Sequence, residues 1–124
     1  MAKILYIEDI EDNIILVQRY LSGRGHEVHY ARNAGDGYDL ALQIRPDLIL
    51  LDLGLPDADG QTLSTWLKGE PDLEAVPLIA LTAWPEEVAR QTVAAYGLDG
   101  YLCKPFRMEA LLRMIEAALQ EPRR

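Results

Sequence analysis

Three short runs constrain this chain more than anything else in it: Lys3–Ile7 (KILYI), Leu48–Asp52 (LILLD) and Pro77–Ala83 (PLIALTA). Their apolar residues follow one another almost continuously instead of alternating with polar ones. A strand with one wet face alternates. A strand buried on both faces does not, and such strands belong to parallel sheets covered by helices on each side. These three runs are therefore expected at the centre of a sheet, with Glu27–Ala31 (EVHYA) and Gly100–Pro105 (GYLCKP) as two further strands.

Between the strands lie segments of helical period: Ile14, Val17 and Leu21; Leu63, Trp66 and Leu67; Val88, Thr92 and Ala95; and Met108 to Leu119 with Leu111, Leu112, Ile115 and Leu119. Boundary signals agree. Asn33 with Asp36 suits a helix start, Pro85 followed by two glutamates suits a first turn, and Gly23 and Gly97 suit helix exits. Strand and helix thus alternate five times across 124 residues, a length that suits one core. This predicts an α/β fold: a doubly wound, five-stranded parallel sheet of (βα)5 form with right-handed crossovers, in a single domain over residues 1–124. No internal repeat, low-complexity tract or linker interrupts it.

Charge and composition exclude several functions. The net charge is −8 and the only dense basic run is Arg123–Arg124, so no cationic surface for direct nucleic-acid binding is expected. The lone Cys103 rules out an internal disulfide or a multi-cysteine metal site and suits a reducing compartment. The opening MAKILYIED reaches acids after a few apolar residues, so neither a secretory signal nor membrane insertion is expected, and the reading is cytoplasmic.

In an open parallel sheet, chemistry sits at the carboxyl ends of the strands. Here those ends carry Glu8 and Asp9, then Asp52, then Thr82 and Ala83, then Lys104 and Pro105. Two carboxylates ~4 Å apart repel by about 4 kcal/mol at an effective dielectric near 20, so three in one crevice raise a pKa or recruit a cation. All-oxygen ligands with room for water suit Mg²⁺ better than zinc, for which the chain has no His or Cys cluster. A divalent ion beside Lys104 and Thr82 matches the needs of phosphoryl transfer, with Asp52 as the nucleophile.

YIED at the first strand end, LILLDLGLPDADG at the third, LTA at the fourth and YLCKPF at the fifth together resemble the response-regulator receiver domains of two-component signalling, the CheY-like family, over essentially the whole chain. The resemblance implies a flavodoxin/CheY-like fold with strand order 2-1-3-4-5, the order for which the chemotaxis member is the standard illustration. It implies that Asp52 accepts a phosphoryl group from a histidine kinase or histidine phosphotransfer protein. Asp9, Asp52 and the backbone carbonyl of Gly54 bind Mg²⁺, and Glu8 acts mainly through water. Lys104 and Thr82 contact the phosphoryl oxygens, Tyr101 is the switch aromatic, and the Lys104–Pro105 bond is cis. The product is a phosphoacceptor signalling domain that assists its own phosphorylation and dephosphorylation and acts on a downstream protein target.

Several residues invite other readings. Asp57–Gly60 (DADG) could be a calcium-loop fragment, but Leu55 and Trp66 stand where that loop needs acids. His26 and His29 are expected to be solvated, Cys103 to be a small core or strand residue, and Trp66 to pack its helix on the sheet. Trp84, two residues after Thr82, is expected as an exposed aromatic beside the site, and Gly54 offers no side chain to position an attacking water. A haloacid-dehalogenase-like phosphatase shares the aspartyl phosphate but wants a second acid where Gly54 stands. The favoured output is that of a single-domain regulator or phosphorelay shuttle. Its docking surface is expected to combine Ile10, Ile14 and the start of a helix near Asn13 with Pro105 and Phe106. The alternative is a receiver excised from a larger multidomain regulator or hybrid kinase, dimerising through its last two helices.

Overall fold

The structure is a computed structural model and describes residues 2–120. Its elements alternate without exception: β1 (Lys3–Ile7), α1 (Glu11–Ser22), β2 (Glu27–Ala31), α2 (Ala34–Ile44), β3 (Leu48–Asp52), α3 (Gly60–Lys68), β4 (Leu78–Thr82), α4 (Glu86–Tyr96), β5 (Gly100–Cys103) and α5 (Met108–Gln120). All strand pairs are parallel and the order is β2-β1-β3-β4-β5, as the resemblance implied. The order reverses direction at β1, which lies between β2 and β3, so the switch point falls beside the ends of β1 and β3.

The unbroken apolar runs occupy the middle of the sheet, where β3 and β4 are buried at every position. Successive side chains along each strand enter opposite layers. Leu5, Ile7, Ile49, Leu51, Leu78 and Ala80 pack in one core with Ala34 and Ala41 of α2 and Leu63 and Leu67 of α3. Ile4, Tyr6, Leu48, Leu50, Ile79 and Leu81 pack in the other with Ile14, Val17 and Leu21 of α1 and Leu111 and Ile115 of α5. Double burial leaves no solvated face to select alternation, which explains the composition of these strands. The edge strands β2 and β5 are more exposed, and β2 is also more polar.

Helix ends follow the local chemistry. Asn33 caps α2 by accepting from the Asp36 N–H, Asp59 caps α3 by accepting from the Thr62 N–H, and Gly97 ends α4 at φ 69°, a left-handed conformation that suits glycine. Two expectations about packing are corrected. Trp66 is 43% exposed and meets Tyr38 edge-on at 6.0 Å, so it flanks α2 and leaves the sheet to Leu63 and Leu67. In α4 the buried stripe is Ala89 and Thr92, with Val88 and Ala95 turned outward: a helix advances about 100° per residue, so a one-residue error in the stripe selects the wrong face. The last strand stops at Cys103, two residues short of the expected Pro105, which has no N–H to offer a ladder.

One glycine sets how closely α3 approaches the end of β3. A Cβ on Gly60 would lie 2.5 Å from the Leu53 side chain and 2.7 Å from the Leu53 Cα, while the Gly60 N–H donates to the Leu53 carbonyl at 3.0 Å. Gly60→Ala is therefore expected to destabilise the fold by about 1–3 kcal/mol. Thermal or urea unfolding of the variant beside the parent chain measures this.

Candidate functional site

The three central strands and β5 deliver their terminal residues to one edge. Ile7 pairs with Leu51, so Glu8 and Asp52 emerge at neighbouring levels of β1 and β3. Glu8, Asp9 and Asp52 present carboxylate oxygens that all lie within 4.8 Å of one another. Thr82 ends β4 one residue beyond Leu81, which pairs with Asp52. Lys104 follows β5 and reaches across β4: its Nζ donates to Glu8 Oε1 at 2.8 Å and lies 3.6 Å from Asp52 Oδ2. Its backbone N–H donates to the Thr82 carbonyl at 2.7 Å, and the Lys104–Pro105 peptide is cis, as expected.

The surroundings of Glu8 explain how a carboxylate survives there with no exposure to solvent. Its Oε1 accepts from Tyr6 Oη at 3.0 Å, Asn13 Nδ2 at 3.1 Å and Lys104 Nζ at 2.8 Å. Its Oε2 accepts from the backbone N–H of Asp9 at 3.1 Å and of Ile10 at 3.4 Å. Buried charge is tolerated only when donors replace lost water, and here they do. Sequence reasoning missed Tyr6 and Asn13. The signal was legible, since Tyr6 stands two residues before Glu8 on the same face of β1, and Asn13 lies in the first turn of α1.

Asp52 has fewer donors: the Gly54 N–H reaches its Oδ1 at 3.0 Å, and 7% of the residue remains exposed. Burial first, and then the neighbouring Glu8, push its carboxyl above the usual carboxylate range. Burial also acts to raise Glu8, but its hydrogen bonds with Asp52, Lys104 and Tyr6 outweigh that and hold it below the ordinary value. The Tyr6 phenol is raised by burial and by Glu8, and it stays a donor. The donor set fits a hard divalent cation, because the cluster offers only carboxylate oxygens and Asp9 faces solvent.

The remaining expected residues fall as follows. Thr82 is 1% exposed and its hydroxyl oxygen accepts from the Trp84 N–H at 3.0 Å. Tyr101 pairs with Ala80 in the sheet, is half-buried against the core, and donates to Glu86 Oε2 at 3.2 Å. Gly54 is exposed beside Asp52. Trp84 differs from expectation: it is half-buried and packs on the core layer beneath α3, because an indole next to a deep apolar layer gains more by entering it. His26 and His29 lie on the β2 side and touch none of these groups: His26 Nδ1 accepts from the Ala2 N–H and His29 pairs with Glu27. Asp57 ties into the start of α2 rather than into the carboxylate cluster.

Comparison with known proteins places this arrangement. The family description "Response regulator receiver domain" matches residues 4–116. The chain belongs to that family, and it is a receiver of two-component signalling. It is 34% identical over 119 residues to the protein PilH of Pseudomonas aeruginosa, covering 96% of this chain and 98% of that one. It is 32% identical over 116 residues to the polar-differentiation response regulator DivK of Brucella anthropi, covering 94% of each. Among solved structures it is similar to the receiver domain of the sensor histidine kinase PA1611 of P. aeruginosa, at 28% identity and a TM-score of 0.89, covering 97% of this chain and 98% of that one. That neighbour holds a magnesium ion in its active-site cleft.

The two acids make opposite contributions to stability. Asp52 has a raised folded pKa, so its contribution is full below the unfolded aspartate value near ~4 and is lost as pH rises through the folded one. Glu8 has a lowered one, so its contribution is present at neutral pH and is lost as pH falls. An amide at position 52 removes the first, and its N–H can still donate to Glu8 where the Asp52 carboxyl did. Asp52→Asn is expected to raise Tm by roughly 3–8 °C at pH 7.5 without divalent ions, with the gap closing toward pH 4. A melting series across that range checks both the sign and the window.

Proposed function

We propose that Asp52 is the phosphoacceptor of this receiver, taking its phosphoryl group from a histidine kinase or a histidine phosphotransfer protein. The observation that carries this reading is the contrast between the two buried acids. Glu8 is surrounded by donors, whereas Asp52 keeps a slightly exposed carboxylate with an ammonium 3.6 Å from Oδ2 and Thr82 nearby on the next strand.

In the transfer, an Asp52 oxygen attacks phosphorus in line, the phosphorus–nitrogen bond of the donor phosphohistidine breaks, and its electron pair returns to the imidazole. Lys104 is placed to pair with a phosphoryl oxygen, and the Thr82 hydroxyl, which already accepts from the Trp84 N–H, keeps its own proton to donate to another. Asp9, Asp52 and the backbone carbonyl of Gly54 would hold Mg²⁺, with Glu8 acting behind them through water because its oxygens are already engaged. When bound, that ion supplies charge neutralisation around the phosphoryl oxygens. The domain assists its own phosphorylation and dephosphorylation and turns over no external substrate.

The phosphoryl group adds roughly −1.5 to −2 charge at Asp52. Drawing Thr82 toward it would shift the loop leading to α4 and the Tyr101–Glu86 contact, biasing the face of α4, β5 and α5 toward a downstream protein. A coupling of about 1–3 kcal/mol makes this a population shift. Residues 1–124 act as one receiver unit in this reading, and a cytoplasmic location accords with the partnership. No helix among the described residues is long and apolar enough to cross a membrane.

The donor's approach is read from the surface beside the acids. A groove of about 360 Å³ runs between α1 and the β5–α5 connection, walled by Leu16, Val17, Pro105, Phe106 and Met108, with Tyr6 and Lys104 lining it. Ile14, expected here, is only 2% exposed and belongs to the core, so Leu16 at 59% takes its place in the groove, while Ile10, also expected on this surface, is 52% exposed.

Asp52→Asn is expected to abolish labelling by acetyl phosphate and by a phosphorylated partner. Labelling at the parent rate in this variant would remove Asp52 from the chemistry. Leu16→Asp is expected to slow transfer from a phosphotransfer protein at least tenfold while leaving acetyl phosphate labelling within twofold of the parent. Stopped-flow or quenched-flow transfer kinetics read the difference.

A further inference from the structure

We propose that Asp57 is a positioning residue: it straps the loop over residues 53–59, which carries Gly54 beside Asp52, to the first turn of α2. The proposal rests on the reading of the site given above, in which Gly54 helps to hold a divalent ion.

The first amides of α2 lie outside its own hydrogen-bond ladder, which begins with the Gly37 N–H donating to the Asn33 carbonyl at 3.0 Å. Asn33 covers the Asp36 N–H at 2.8 Å, as a local cap does. The other two are covered from a distant part of the chain. Ala34 N–H donates to Asp57 Oδ1 at 2.7 Å and Gly35 N–H donates to Asp57 Oδ2 at 2.9 Å. Both carboxylate oxygens are engaged by charge-assisted bonds at the positive end of a helix. These two bonds hold the Asp57 carboxyl below its ordinary value.

The loop is otherwise fastened at its two ends. Leu53 and Leu55 are buried in the core, and Asp59 caps α3 through the Thr62 N–H at 2.8 Å. Gly54 and Asp57 are themselves exposed, and Gly54 reaches Asp52 through its N–H. Asp57 thus supplies a lateral tie from the span between Leu55 and Asp59 to the α2 side of the molecule. Neither bond of Asp57 involves the carboxylate cluster, so the strap itself reaches the site through loop geometry.

A pair of variants separates positioning from simple helix capping. Asp57→Ala releases the loop and uncovers two amides of α2, whereas Asn33→Ala weakens the same helix end and leaves the strap in place. Both are compared with the parent chain at a temperature where circular dichroism shows all three fully folded. Calorimetric titration with Mg²⁺ is expected to give a Kd at least fivefold weaker for Asp57→Ala and within twofold of the parent for Asn33→Ala. Asp57→Asn, which keeps one acceptor oxygen, is expected to fall between. Without any divalent ion, the Gly54 amide is expected to exchange with deuterium at least fivefold faster in Asp57→Ala and at the parent rate in Asn33→Ala. A parent chain that binds Mg²⁺, with Asp57→Ala matching it in Kd and in Gly54 exchange, overturns the strap and leaves the site reading standing. A parent chain that takes up no Mg²⁺ overturns the metal-site reading instead, and the metal-free exchange then decides the strap alone.

Discussion

The ion pair between Lys104 and Glu8 is the contact on which the site depends. Glu8 has no solvent exposure, so its charge must be met inside the protein, and the strongest donor available is an ammonium 96 residues away in sequence. Removing one partner of such a pair leaves a buried charge uncompensated, which costs far more than the pair itself contributes. The β4–β5 ladder places the end of β5, and from there the pair with Glu8 holds the same ammonium 3.6 Å from Asp52. Structure and chemistry therefore share one group. The lysine that neutralises the buried acid is also the cation beside Asp52.

This arrangement distributes charge unequally between two acids of similar intrinsic strength. Glu8 collects the phenol of Tyr6, the amide of Asn13 and two backbone N–H groups, and remains ionised. Asp52 receives one backbone N–H and is raised by burial and by its neighbour. An acid held in that state gains from any nearby positive charge, so the cluster is poised to recruit a cation. The stability forgone by burying Asp52 is the counterpart of a site prepared to hold added negative charge.

The scaffold makes the clustering rigid. β1, β3 and β4 are buried on both faces and register one with another through parallel ladders, so the levels at which Glu8, Asp52 and Thr82 emerge are set by the sheet. The loops that follow are tied by a few polar contacts: Gly54 to Asp52, Asp57 to two amides of α2, Asp59 to α3, and Tyr101 to Glu86 across the β4–α4 side. Rigid strands with tethered loops permit small changes at one edge without disturbing two packed core layers. Such an edge suits a domain that passes on a change of state.

The sequence by itself determined the class of fold, because unbroken apolar runs admit few arrangements other than a doubly covered parallel sheet, and it marked Glu8, Asp9, Asp52, Thr82 and Lys104 as strand-end residues. Only the tertiary structure decided what each of them meets. Periodicity describes a helix up to a rotation, which is why Trp66, Val88 and Ala95 face other surroundings than expected while Ile14, Val17 and Leu21 form the buried stripe that their spacing predicts. The donors around Glu8 and the trans cap from Asp57 come from segments whose meeting depends on strand order and register. Local composition carries no record of distance between parts of a chain, and distance is what determines which charges interact.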